Sequence, residues 1–133
     1  MATLNPYQKY QTNAATTASP GELTLMLYNG CLKFINLAGK AMEEGNIQEK
    51  NTNLQKAQNI ITELTITLNM DFEISQNLRS MYEYMNRRLM EANMKNDLEI
   101  LKEVEEYVVD FRNTWKEAIQ LNRQAKPSTG GLA

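Results

Sequence analysis

The sequence predicts an all-α fold, an antiparallel up-down four-helix bundle with a short N-terminal segment packed across it. Three observations lead there. Apolar residues recur at three- and four-residue spacing through four long stretches, helix start and stop signals fall between those stretches, and the connections are only a few residues long, which makes consecutive helices antiparallel. The stretches, residues 20–44, 48–69, 74–93 and 97–124, hold about 95 of the 133 residues, far above the roughly one-third helical share of ordinary domains. Residues 1–18 are left as an N-terminal cover segment, 19–125 form the bundle, and 126–133, with Pro127, Gly130 and Gly131, form a flexible C-terminal tail.

The first helix opens at Ser19-Pro20-Gly21-Glu22. A serine hydroxyl can accept from first-turn amides, proline loses nothing at the first helical position, and glutamate completes a capping box. Its stop is Gly45, since glycine takes the left-handed conformation cheaply. One stripe is Leu23, Met26, Leu27, Phe34, Leu37 and Ala41, but Leu25, Tyr28, Cys31, Leu32, Ile35 and Met42 fill the adjoining arc. Only Asn29, Lys33, Asn36 and Lys40 make a polar strip, so the helix is apolar around roughly 260°, where an outer bundle helix needs about 100° or somewhat more. The excess needs a cover: the N-terminal segment with Pro6, Tyr7 and Tyr10, a second subunit, or a partner chain.

The second helix carries the core stripe Leu54, Ala57, Ile60, Ile61, Leu64 and Leu68. Its outward face, Gln55, Gln58, Asn59, Thr62, Thr65 and Ile66, is almost free of charge. That is either a plain solvated face or a strip of donors and acceptors suited to an amphipathic or extended peptide. The third helix aligns Ile74, Leu78, Met81, Tyr82, Met85, Leu89 and Ala92; the fourth, capped through Asn96 and Glu99 and ended before Pro127, aligns Leu101, Val104, Tyr107, Val108, Phe111, Trp115 and Ile119.

Composition excludes several classes of function. With fourteen basic and sixteen acidic residues, a net charge of −2 and no basic cluster, nothing would hold a phosphate backbone, so nucleic acid is not an expected partner. No histidine and a lone Cys31 leave no disulfide framework, no His-ligated metal or haem and no histidine acid–base catalysis. Glu43 with Glu44, and Glu103, Glu105 and Glu106, read as solvated helix faces, Arg87 and Arg88 as a solvent-exposed pair, and Cys31 as a small core hydrophobe. No cofactor, no enzyme activity and no membrane insertion are expected, and the chain is expected to stay in a reducing cytoplasm.

The run Ala18-Ser19-Pro20-Gly21-Glu22-Leu23, then Met26-Leu27-Tyr28-Asn29-Gly30 and Lys33-Phe34, resembles the opening helix of the FliS flagellin export chaperones. Later runs agree in order: Lys56-Ala57-Gln58-Asn59-Ile60-Ile61, Glu63-Leu64, Tyr82-Glu83-Tyr84, Leu89 with Ala92-Asn93, Asp97, and Glu103-Val104 followed by Trp115. The resemblance spans Pro6 to about Ala118, with Asn29 and Glu83 where the family pattern has aspartate. It implies a bundle in the bacterial cytoplasm that binds the disordered C-terminal segment of flagellin, prevents premature polymerisation and supports delivery to the flagellar type III export apparatus. It allows export-apparatus or regulatory flagellar proteins as further partners. With helical-wheel geometry, it maps Tyr7, Tyr10 and Pro20 to a movable cover, and Leu25, Leu32, Gln58, Asn59, Thr62 and Ile66 to a groove. The competing reading is a homodimeric helical adaptor or signalling bundle whose extra apolar arc is a subunit interface, and the oligomeric state stays open.

Overall fold

The computed structural model describes the backbone of residues 20–129 and the side chains of 21–121. Four helices follow in order: α1 Pro20–Glu44, α2 Ile47–Ile66, α3 Glu73–Lys95 and α4 Leu98–Thr129. Each packs on its chain neighbours, and α1 also packs on α4, which closes a ring. Cross-helix contacts run in opposite residue order: Lys50 reaches Asn93 and Asn96 while Asn86 reaches Thr62, and Arg112 reaches Asn29 while Trp115 reaches Gly21. The bundle is therefore antiparallel, up-down-up-down.

One end is closed by two turns built alike. Gly45 (φ 72°) ends α1, with its N–H on Met42 O and the Asn46 N–H on Ala41 O; Asn96 (φ 51°) ends α3, with its N–H on Asn93 O and the Asp97 N–H on Ala92 O. Both are Schellman closures, with a left-handed residue that glycine or asparagine tolerates. The very next residue caps the following helix. Asn46 Oδ1 accepts from Glu49 N at 3.1 Å, and Asp97 Oδ1 accepts from Glu99 N at 2.9 Å and Ile100 N at 3.3 Å. The expected cap of α4 at Asn96 is thus corrected to Asp97, because the left-handed backbone commits Asn96 to closing α3. Lys50, 7% exposed, ties the two turns, its Nζ donating to Asn93 O and Asn96 Oδ1 at 3.2 Å each. Its positive charge sits at the negative end of the α3 dipole.

The other end is less finished. Expected to run to 69, α2 stops at Ile66, where Thr65 and Thr67 hydroxyls donate to the carbonyls of Ile61 and Leu64 and β-branched residues crowd the last turn. Phe72, which precedes α3, offers no side-chain cap. In the other direction α4 continues past the expected stop at 124, through Pro127 to Thr129. Proline removes only one ladder bond there, in a last turn reached through helix-forming Arg123, Gln124 and Ala125. The expected cover segment at 1–18 lies outside the described residues.

The core forms where the stripes predict. Leu27, Cys31, Ile35, Leu54, Ile60, Ile61, Met85, Leu89, Leu101, Val104 and Val108 are buried, at roughly 1.5–3 kcal/mol for each large side chain. The Tyr28 and Tyr82 hydroxyls bond each other across the middle, and Phe111 packs on both rings. This central contact explains the wide apolar arc of α1. The helix faces α2 on one side, α4 on the other and Tyr82 between, so from Leu27 onward the bundle itself covers most of it; Leu37, 41% exposed, is the main exception. Ile74, expected in the core, is 64% exposed: it lies in the first turn of α3, beyond the end of α2, with no helix above it.

Candidate functional site

The predicted site residues divide between two edges of the ring. Leu25 is half-buried and Leu32 is buried on the flank of α1 that carries Gly21 and Gly39, whose missing side chains would meet Trp115 and Ile119, and Leu98 and Leu101, of α4. Leu32 therefore offers a ligand no open surface in this conformation. Gln58, Asn59, Thr62 and Ile66 lie across the bundle, on the α2 face directed to solvent and α3. Tyr7 and Tyr10 are outside the described residues, and Pro20 is the first residue of α1.

The α2 face is a chain of neutral polar contacts. Gln55 Nε2 donates to Asn59 Oδ1 at 3.0 Å, Gln58 Nε2 approaches Asn86 O at 3.5 Å, and Asn86 Nδ2 donates to Thr62 Oγ1 at 3.2 Å. Asn51, Thr52, Gln55, Asn59, Thr62 and Ile66 are all exposed and none is charged; Ile66 is 70% exposed. Met90 and Met94, 54% and 74% exposed, follow Asn86 at four-residue steps along α3 and face solvent. Such a surface can bind by apolar contact and by hydrogen bonding to a ligand backbone, with little dependence on salt.

This face runs into the less finished end of the bundle. There a cavity of about 280 Å³ is lined by Thr24, Tyr28, Leu64, Leu68, Phe72, Ile74, Leu78, Tyr82 and Trp115 among others, with Ser75, Thr67 and Asn69 at its polar points. Phe72 and Ile74, 61% and 64% exposed, give it an apolar rim, and Met70 and Ile66, 41% and 70% exposed, lie at the same end of the bundle. Trp115 Nε1 donates to Gly21 O at 2.8 Å, which pins the start of α1 beside this mouth. Sequence periodicity does not show the rim, because it places Ile74 in the core and Met70-Asp71-Phe72 in the connection between helices. Two large apolar residues in a three-residue loop were the available signal.

The remaining chemistry is structural. Burial pushes the Cys31 thiol up to about 12, and it donates weakly to Ala57 O, so it does not act as a thiolate nucleophile. The Tyr28 and Tyr82 hydroxyls are likewise raised, first of all by burial. On the α3–α4 face, Arg88 pairs with Glu103 at 2.8 Å and Glu91 at 2.7 Å, and Tyr84 donates to Glu103. The Arg88 bond is the leading cause of the lowered Glu103 value, whereas Lys95 leads for Glu91; both carboxylates titrate below their ordinary range, so this tie is present near neutrality and is lost as acid protonates them. Among the described residues no three metal-ligating side chains cluster, and no helix is long and apolar enough to cross a membrane.

The family model for the flagellar protein FliS matches residues 3–122. The chain is 58% identical over 133 residues to the flagellar secretion chaperone FliS of Bacillus subtilis (strain 168), covering all of both chains. It is 37% identical over 110 residues to that of Escherichia coli (strain K12), covering 80% of this chain and 81% of the relative. A crystal structure of a bacterial flagellar chaperone aligns with a TM-score of 0.72 over 86% of this chain and 94% of its own; at 18% identity that likeness is one of fold.

Proposed function

The chain belongs to the FliS family of flagellar secretion chaperones, and on that premise we propose that it binds the disordered C-terminal segment of flagellin in the cytoplasm, keeps monomers from polymerising early and holds them ready for the type III export apparatus. The observation that carries this reading is the uncharged α2 face, which runs from Gln58 through Thr62 and Ile66 into an open apolar mouth. An unstructured ligand brings both unpaired backbone groups and apolar anchors, the two things this surface can partner. Leu25 extends the proposed contact to the opposite edge, which a ligand reaches by wrapping around the bundle. The action is equilibrium binding: the ligand loses ordering entropy, offset by apolar contacts spread over a large area.

Residues 1–18, with Tyr7 and Tyr10 hinged at Pro20, act in this proposal as a movable cover over the mouth beside which α1 begins. A cover lowers the apparent affinity by the fraction of molecules in which the site is open. Calorimetric titration with a synthetic flagellin C-terminal peptide tests both parts. Saturable binding with a negative heat-capacity change is expected, and deletion of residues 1–17 is expected to tighten it; weaker binding after the deletion would make the segment part of the site. A stable dimer in light scattering that takes up no peptide would instead favour the homodimeric adaptor.

A further inference from the structure

The seam between α2 and α3 holds one polar atom with no protein partner: Asn86 Oδ1, which is buried, is the single such side-chain atom among the described residues. Leaving a buried acceptor unmade is unfavourable, because its lost hydration is not replaced. The rest of the side chain is held loosely. Its Nδ2 donates to the hydroxyl of exposed Thr62 at 3.2 Å, and the only side chain on its backbone carbonyl, Gln58, stands at the 3.5 Å limit of a hydrogen bond. A half-turn of the amide about its last side-chain torsion, a soft two-fold rotation, exchanges its two ends: Oδ1 moves to the exposed edge beside the Thr62 hydroxyl, and Nδ2 takes the buried place. Asn86 reaches Thr62, one turn before Ile66 on α2, and is followed along α3 by Met90 and Met94 at four-residue steps; Ile66, Met90 and Met94 are large apolar residues left exposed.

We propose that Asn86 is the polar anchor of this face, turning its carbonyl to accept a backbone N–H of the bound segment while Ile66, Met90 and Met94 take that segment's apolar side chains. The inference rests on the reading of the α2 face as the flagellin surface and adds to it the conformation of the ligand there. Interior N–H groups of a helix are committed to their own carbonyls, so the segment meeting Asn86 crosses the seam extended or presents the first turn of a helix.

The signature is a substitution that moves affinity and stability in different directions. Asn86→Leu removes the orphaned acceptor and keeps the volume, so its melting temperature is expected to hold or rise, while affinity for the flagellin C-terminal peptide is expected to fall about tenfold. Asn86→Ala, carried alongside in case leucine does not fit, is expected to lose affinity to a similar degree. If both variants melt lower and bind the peptide as the parent does, Asn86 is only a packing residue and the proposal is overturned. Ile66→Glu separates this from failure of the surface itself: weakened binding by Ile66→Glu with unchanged binding by the Asn86 variants removes the anchor alone, and unchanged binding by all three removes the surface.

Discussion

Tyr82→Ala is expected to lower the folding free energy by about 3–5 kcal/mol, as for other large aromatic truncations, and the melting temperature by on the order of 10–20 °C. Tyr82 joins three of the four helices: its ring meets Phe111 of α4 at 6.0 Å, and its hydroxyl bonds Tyr28 of α1. Tyr28 in turn packs on Phe111 and Trp115. Truncation leaves a cavity and an orphaned buried hydroxyl, two costs that add. Single hydroxyl deletions isolate the second. Tyr82→Phe strands the Tyr28 oxygen and is expected to cost about 1–3 kcal/mol, whereas Tyr28→Phe combined with Tyr82→Phe leaves nothing unpaired and is expected to cost less than the two single changes together. Denaturant titrations of the three variants check this; strictly additive losses would mean that the pair does not act as a unit.

Ile66→Glu has the largest expected effect on binding. Ile66 is 70% exposed at the end of α2, so a carboxylate there meets water in the free protein and should shift the melting temperature by no more than a degree or two. In the complex the same position is proposed to be covered. Losing the apolar contact costs about 1.5–3 kcal/mol and desolvating an unpaired carboxylate adds to it, so affinity for the flagellin peptide is expected to fall by about thirtyfold or more. Calorimetry beside a thermal melt reads both quantities on one sample. A melting temperature that fell with the affinity would place Ile66 in the fold instead of on its surface.

The elements that local chemistry decides were legible in the sequence. Gly45 ends α1 where a left-handed residue was needed, and Leu54, Ala57, Ile60, Ile61 and Leu64 fall inside on a plain 3.6-residue period. What was not legible depended on neighbours. Asn96 and Asp97 are both good caps, and only the closure of α3 decides which one starts α4. Ile74 follows the core period, yet is exposed because α2 ends too soon to cover it. The broad arc of α1 was legible as an excess, but a wheel drawn for one helix cannot show that the bundle covers both flanks, and so it set Leu32 beside Thr62 when they lie on opposite edges. Asn86 carried no sequence signal at all, since an orphaned acceptor exists only once α2 and α3 are packed.

The reading of the open mouth and the α2 face together as a chaperone surface is most directly tested by flagellin polymerisation itself. Purified flagellin seeded with filament fragments, with the full-length chain added in increasing amounts and no nucleotide present, is expected to elongate more slowly in proportion to the share bound, to stop at excess, and to resume on dilution. Filaments that lengthened at an unchanged rate in a large excess of the protein would contradict the account.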